Sequence, residues 1–330
     1  MTIGLDEFGI IKKYFSPLSR GESGAYSLLD DAAKVKFKSS SSTVITTDAM
    51  VSGVHFPLTE PANYIASRLL RVNLSDIAAM GAVPVGYTLL LALPDSINIE
   101  WISSFSTGLA EEQEIFGVTL LGGDTTKCSS EMVLSITMLA EAKENNVLLR
   151  SGANEGDEVY VSGYIGDAFL GLSILQRELE NSDKKTDKYL IERFRRPTPR
   201  LELGKRLVGI ATSAIDLSDG LISDLGHVCS ASNVSARIII DEIPISKAAE
   251  KIVLDDSKII RNLITGGDDY ELIFTVPSNK SGIVDNLSVE LGVNLTKIGE
   301  IIKKNNSQSV STFDLSGNMI IFEKTGFRHF

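Results

Sequence analysis

Strand-like and helix-like runs alternate along the whole chain, and this alternation limits the fold more than any other feature. "STVITTD" (Ser42–Asp48), "YTLLLAL" (Tyr87–Leu93), "VTLLGGD" (Val118–Asp124) and "MVLSITMLAEA" (Met132–Ala142) read as strands. Between them, Pro61–Met80 and Ile99–Phe116 carry the three-to-four spacing of helices, with Pro61 suited to a first turn. After "SGANEGD" (Ser151–Asp157), a turn-rich junction, the alternation resumes. "DEVYVSG", "SAID", "SARIII", "YELIFTV" and "TKIGEII" are expected as strands, with helices from Asp167, Pro199 and Gly220. "ENSDKKTDK" (Glu180–Lys188) reads as a polar stretch, and "KSSSS" and "KKNNSQS" as exposed hairpin loops. The expectation is an α/β chain of two domains, residues 1–150 and 151–330. With 330 residues, two domains is also the natural count.

Composition narrows the partners. The net charge is −11 and the pI about 4.9, which disfavours nucleic acid and anionic membranes. The two cysteines, Cys128 and Cys229, are far apart and form no C-x-x-C pair, so neither a disulfide framework nor a cysteine-ligated zinc site is expected. No apolar run approaches the roughly 18 residues that span a bilayer, and the N-terminus has no secretory pattern, so a cytoplasmic location is expected.

Acids recur where strands end. "LLDDAA" carries Asp30 and Asp31, "VITTD" ends in Asp48, "LLGGDTT" holds Asp124, "SAIDLSD" gives Asp216 and Asp219, and "ITGGDD" gives Asp268 and Asp269. Ligands of α/β sheets bind at strand ends, so acids placed there are expected to converge. Asp76 shares a helical stripe with Ile65, Leu69, Val72 and Met80, and a carboxylate on an apolar face needs a hydrogen-bonding or metal partner. Asp224, one turn past Asp219, reads as a helix-capping acid. Clustered carboxylates without His or Cys suit a hard cation such as magnesium, which binds through carboxylates together with substrate phosphates. There is no G-x-x-x-x-G-K-[ST], no G-x-G-x-x-G and no H-R-D.

Taken in order, "TTDAMVSGVHF", "NLSDIAAMGA", "LLGGDTT", "RSGANEGD", "AIDLSDGLISDLGH", "GGDDYEL" and the closing "GFRHF" resemble the thiamine-monophosphate kinase family. That family sits in the superfamily of aminoimidazole ribonucleotide synthetase, selenophosphate synthetase and a hydrogenase-maturation protein. The resemblance implies an N-terminal sheet that pairs with a second copy into a barrel-like homodimer core, and a C-terminal α/β sandwich. It implies direct in-line transfer of the γ-phosphate of ATP to thiamine monophosphate, with several Mg²⁺ ions. By the same resemblance, Asp31, Thr46, Thr47, Asp48, Asp76, Asp124, Asp216 and Asp219 are the expected metal shell. Gly123, Asp124, Arg150 and Ser218 are the expected ATP contacts, and His55, Asp268 and Phe327 the expected contacts to thiamine phosphate. Asp48, Asp124 and Asp219 are expected to be essential to transfer. Loss of the tail from Gly326 is then expected to weaken the acceptor while leaving nucleotide binding nearly unchanged. This chain departs from the family pattern at Leu28-Leu29, at Ala49, at Asp268 (commonly Glu) and at Arg328 (commonly Asp). The nearest rivals carry a reactive Cys near one end, and neither end of this sequence shows one.

Overall fold

The computed structural model describes residues 7–28, 32–38, 41–143, 146–179, 183–255, 259–305 and 308–327. Two compact units emerge: Met1–Ile77 with Val83–Asn145, and Ala78–Ala82 with Asn146–Phe330.

The first unit opens with short helical turns over residues 7–28, of which α1 is Glu7–Ile10. A four-stranded sheet follows, built from β1 (Ser41–Val51), β2 (Val83–Leu93), β3 (Thr119–Lys127) and β4 (Val133–Lys143), in the order β1-β4-β2-β3. Only β2 and β3 run parallel; β4 is antiparallel to both its neighbours. The parallel pair is bridged by α3 (Ile99–Phe116), as such a crossover requires. Asn98 caps α3 by accepting from the Trp101 N–H at 2.9 Å, and Gly117 ends it in the left-handed region.

Helix α2 (Ala62–Ala79) is enclosed far beyond a single stripe. Ile65, Leu69, Val72, Leu74 and Ile77 are buried, and so are Ser67, Arg68, Asn73 and Ser75 on its other sides. The stripe expected from the sequence is therefore part of a helix buried on nearly every side, with Asn63, Tyr64 and Asp76 half-buried. In β2 the side chains of Tyr87, Leu89, Leu91 and Leu93 are buried while Leu90 between them is 40% exposed. An apolar strand without polar alternation here has one covered face and one open face, and the sheet within this chain is open rather than closed into a barrel.

The second unit is a seven-stranded sheet in the order β11-β10-β7-β9-β5-β8-β6. Its strands are β5 (Asp157–Ser162), β6 (Ser213–Asp216), β7 (Ser235–Ile239), β8 (Leu272–Pro277), β9 (Leu295–Ile302), β10 (Val310–Phe313) and β11 (Met319–Ile320). Helices α4 (Asp167–Leu175), α5 (Lys184–Arg195), α6 (Leu201–Leu207), α7 (Leu221–Ser232), α8 (Lys247–Asp255), α9 (Ile259–Thr265) and α10 (Ser281–Leu291) cover it. Alternation along β5 shows how both faces are used. Val159 and Val161 pack into one cluster with Leu221, Leu225 and Val228 of α7, whereas Tyr160 packs into another with Leu203 and Leu207 of α6.

The ladders of the second unit are mostly antiparallel. Three expectations change. "KKNNSQS" is not a hairpin, because β9 and β10 both pair with β7 and the segment crosses over that strand. "KSSSS" precedes no hairpin either: β1 starts at Ser41 and pairs with β4. The polar stretch after Glu180 turns helical at Lys184, where the Asp183 side chain accepts from the N–H groups of Lys185 and Thr186. The charges there lie on a solvated helix face that looks like loop when read by polarity alone.

Candidate active site

In the first unit, the acids stand on regular elements. Thr46 and Asp48 are two apart in β1 and so share a face. The Thr46 hydroxyl donates to Asp76 of α2 at 2.5 Å, and the Asp48 N–H donates to the Asn73 side chain at 3.1 Å. Asn73 is itself fixed by donating to the Leu69 carbonyl. Asp76, the carboxylate that the sequence places on an apolar helix, thus has its partner across the unit. Thr47 points the other way. Its hydroxyl donates to the Ile136 carbonyl at 3.0 Å and lies 3.1 Å from the Thr137 hydroxyl, on the face opposite Asp48. The strand period separates the Thr47 side chain from Asp48 and Asp76, whereas the register across β1-β4-β2-β3 puts Asp124 of β3 on the same open face as Thr47.

Asp124 is exposed near the middle of β3. The preceding Gly123 is required by strand packing: a Cβ there would run into the Leu89 carbonyl of β2. A cavity of about 400 Å³ opens beside Gly123 and Asp124, walled by Phe15, Leu28, Val35 and Leu121. His55 follows β1 in a turn, where its Nδ1 accepts the Val51 N–H at 3.0 Å and orients the ring. Asp31 lies outside the described residues, as do Asp30 and Arg328.

In the second unit the candidate residues come from three irregular segments, and backbone hydrogen bonds knit them together. Asp216 ends β6, 4% exposed, and the chain then turns through Leu217–Gly220 into α7. The Asp268 N–H donates to the Ser218 carbonyl, the Tyr270 N–H to the Leu217 carbonyl and the Leu217 N–H to the Glu271 carbonyl, each at 2.8 Å. The tail joins from the other side. The Phe327 N–H donates to the Asp219 carbonyl at 2.9 Å, and the Ser223 N–H to the Thr325 carbonyl at 3.0 Å. Gly267 (φ +72°), Asp268 (φ +69°) and Tyr270 (φ +52°) are left-handed. For Asp268 and Tyr270 this is a conformation that persists only where the surroundings enforce it.

Asp224 answers for part of the acid density of "DLSDGLISD". Its Oδ2 accepts the N–H groups of Ser218, Asp219 and Gly220, each at 3.1 Å, and so shapes the turn. Burial and then the nearby Asp219 charge push its carboxyl up to about 7. Asp219, Asp224 and His227 are the one group of His, Cys, Asp and Glu among the described residues whose ligand atoms all lie within 4.8 Å of one another. His227 was not singled out in the sequence; its signal is the i, i+3 spacing from Asp224 on one helix face. Arg150 is exposed, and its segment is held by Ser232 of α7, whose Oγ donates to the Arg150 carbonyl and accepts the Gly152 and Ala153 N–H groups. Phe327 is 47% exposed.

Sequence reasoning grouped Asp269 with the converging acids and missed Glu271, and the two form the layer behind Asp268. Asp269 is buried and accepts from the Gly166 and Ala168 N–H groups at 2.6 and 3.1 Å. Glu271 is fully buried between Arg193 and Arg200. No local pattern announces pairs 71 and 78 residues apart.

Comparison with known proteins bears on the family and the fold. Residues 29–142 match the AIR synthase related protein N-terminal domain, and residues 154–311 the corresponding C-terminal domain. The thiamine-monophosphate kinase of Salmonella typhimurium is 40% identical over 328 residues, covering 98% of each chain. This chain belongs to the thiamine-monophosphate kinase family. Its fold is shared with the crystal structure of thiamine-monophosphate kinase from Stenotrophomonas maltophilia, 37% identical with a TM-score of 0.80 over 88% of this chain and 90% of that one. A ThiL structure complexed with AMPPCP and TMP aligns over 98% of this chain and 97% of that one, at 28% identity and a TM-score of 0.78. In this thiamine-monophosphate kinase family member only Asp216 ends its strand as expected; Asp48 and Asp124 lie inside strands that run on to Val51 and Lys127, and the remaining motifs fall on α2, turns and the tail. Among the described residues no helix is long and apolar enough to cross a membrane.

Proposed function

We propose that this chain transfers the γ-phosphoryl group of ATP to thiamine monophosphate, giving thiamine diphosphate, by direct in-line attack of the acceptor's phosphate. The observation that carries this reading is the nearly full-length likeness to a ThiL bound to AMPPCP, an ATP analogue, and TMP. The donor chemistry supports it. Thr46, Asp48, Asp76 and Asp124 in the first unit, and Asp216 and Asp219 in the second, offer oxygen atoms and no sulfur, a set that fits Mg²⁺. Within the first unit Thr46, Asp48 and Asp76 would hold an ion on one face of the sheet and Asp124 on the other, and within the second unit Asp216 and Asp219 would do so. Bound there, Mg²⁺ supplies neutralisation of polyphosphate charge beside side chains that are themselves anionic. Asp224 already holds three backbone N–H groups and serves the turn first.

The chain's own groups do the rest. The cavity beside Gly123 has the apolar walls and size suited to a nucleotide base. Arg150 offers a guanidinium to phosphate, which its planar fork matches. Phe327 presents a half-exposed ring, and Asp268 a carboxylate, to a cationic acceptor. His55, oriented through Nδ1, adds a further acceptor contact. Transfer of this kind asks for positioning and charge placement more than for covalent chemistry.

The open face of the first sheet suits a second copy of the chain, in a homodimer. Ile45 is 63% exposed and pairs in register with Leu139, and Leu90, 40% exposed, pairs with Ser135 two rows along the same face. The decisive experiment is ADP release with thiamine monophosphate present and absent, with Mg²⁺ and with excess chelator. Acceptor-dependent release that stops with chelator is the expected outcome. Equal release without acceptor, or full turnover in chelator, would overturn the reading. Light scattering at micromolar concentration should give twice the chain mass of 35.7 kDa.

A further inference from the structure

The loop Gly266–Tyr270 carries Asp268, and its shape is set from behind. Side chains alternate along it. Asp268 and Tyr270 are half-buried, while Asp269 and Glu271 are 1% and 0% exposed. The two buried carboxylates act as pegs. Asp269 is seated on the Gly166 and Ala168 N–H groups at the start of α4. Glu271 takes four donors: Arg200 through Nε and Nη2, both at 2.6 Å, Arg193 through Nη2 at 2.9 Å, and the Ser162 hydroxyl at 2.6 Å. It has no room to move, since even a Cβ on Gly163 would collide with its carboxylate. Its backbone carbonyl accepts the Leu217 N–H, so the same residue also registers the turn that carries Ser218 and Asp219. Left-handed Asp268 and Tyr270 would relax without such pegs.

We infer that Arg200 is a positioning residue for the acceptor: acting through Glu271, it fixes the backbone from which Asp268 projects. The inference rests on the reading above that Asp268 faces the acceptor. Arg200 is suited to the task. It follows Pro199, whose ring restricts the backbone, and directly precedes α6, so its own base is stiff. It grips Glu271 as a two-pronged fork, which fixes the angle of the carboxylate as well as its charge. A lysine keeps the charge and loses the fork. If the cluster only stabilised the fold, charge would be what matters, and Arg200→Lys would cost stability and activity together or neither.

The test compares Arg200→Lys with Arg206→Lys, a control in the helix α6 that follows, whose exposed partner is Glu290. Wild-type acceptor-dependent ADP release checks the underlying reading, and the variant-to-wild-type ratio checks this one. For Arg200→Lys, KM for thiamine monophosphate should rise about tenfold or more, and kcat and KM for ATP, which depend on Glu271 only through the Leu217 backbone bond, should change by a clearly smaller factor. Arg206→Lys should match wild type. Hydrogen–deuterium exchange, which needs no activity, should show the 266–271 peptide exchanging about tenfold faster in Arg200→Lys while β5 stays protected. Should Arg200→Lys not fold, Ser162→Ala removes one donor from the same carboxylate and should raise the acceptor KM in the same direction by a smaller factor. An unchanged acceptor KM, an unchanged 266–271 exchange rate in a folded variant, or losses that simply follow the melting temperature would each overturn the inference.

Discussion

The acids of the two units are held in different ways. In the first unit Thr46, Asp48, Asp76 and Asp124 project from β1, α2 and β3, and the period of each element aims the side chain. In the second unit Asp216, Ser218, Asp219, Asp268 and Phe327 belong to a strand end, two turns and a tail, held together by backbone bonds such as Phe327 N–H to Asp219 and Asp268 N–H to Ser218. A side chain on a regular element can be changed without moving its neighbours. A residue in the knitted group carries its neighbours with it. Substitutions in the first unit should therefore delete a function cleanly, and backbone changes in the second should spread.

The largest effects test both halves at once. Asp48→Asn and Asp219→Asn each remove a charge and leave the backbone in place, so each should lower kcat by about 10²–10³-fold, the range for losing one preorganised electrostatic contact. Melting temperatures should hold or rise, since each variant relieves repulsion among like charges. Near-normal turnover in either variant would show that the charge sits outside the site.

Next comes the tail, where the knitting changes an expectation. From the sequence, removing Gly326–Phe330 should affect the acceptor alone. The Phe327 N–H to Asp219 carbonyl bond makes the tail part of the Asp219 turn. Phe327→Ala keeps that bond and loses only the ring, so acceptor affinity should fall about 2–30-fold, the range of a cation–π contact, with nucleotide affinity unchanged. Truncation before Gly326 should lower both. Calorimetric titration of each ligand decides it. Equal loss of nucleotide affinity in both variants, or in neither, would break the contrast between side chain and backbone.

A smaller effect concerns pH. Burial pushes the Asp269 carboxyl up to about 8, against the N–H donors of Gly166 and Ala168. An acid with a raised folded pKa binds its proton more tightly folded than unfolded. Its contribution to stability is therefore greatest near pH 4, declines as pH rises, and is flat above about 8. Asp269→Asn should flatten that part of the pH–stability profile between pH 4 and 8. Thermal melts across that window make the comparison, and identical slopes for wild type and Asp269→Asn would refute it.

The same division explains what the sequence made legible. Strands such as Tyr87–Leu93 and the start of α7 announce themselves by apolar period and by Gly220, and Asp76 stood out because a carboxylate interrupts an apolar stripe. These signals are local. The Arg200–Glu271 fork spans 71 residues of sequence, and its prolines and acids look like ordinary surface composition until β8 and α6 bring them together. Gly123 and Gly267 look alike in "GGD", yet one avoids a neighbouring strand and the other supplies a left-handed turn. Pairing and handedness are tertiary outcomes, and a dipeptide does not carry them.

The smallest effect is the cleanest check on the periodic half of the comparison. Thr46 and Thr47 are adjacent and chemically identical, and the resemblance to the family groups both with the metal shell. In β1 they face opposite sides, with Thr46 on Asp76 and Thr47 on the Ile136 carbonyl and Thr137. Thr→Val preserves shape and β-branching, so each strand stays intact while one hydroxyl disappears. Thr46→Val leaves Asp76 without that donor, and its kcat should fall about tenfold, the lower end of the scale of one hydrogen bond to a charged group. Thr47→Val removes a bond that ties β1 to β4 on the open face. Its kcat should stay within about twofold, and its melting temperature should drop slightly, as for one neutral hydrogen bond. The readouts are turnover at saturating substrates and a thermal melt for each variant. If Thr47→Val loses more turnover than Thr46→Val, then the open face of the sheet, and not the face shared by Asp48 and Asp76, is where the hydroxyl matters. The side-chain directions assigned by strand period would then fail as a guide to this site.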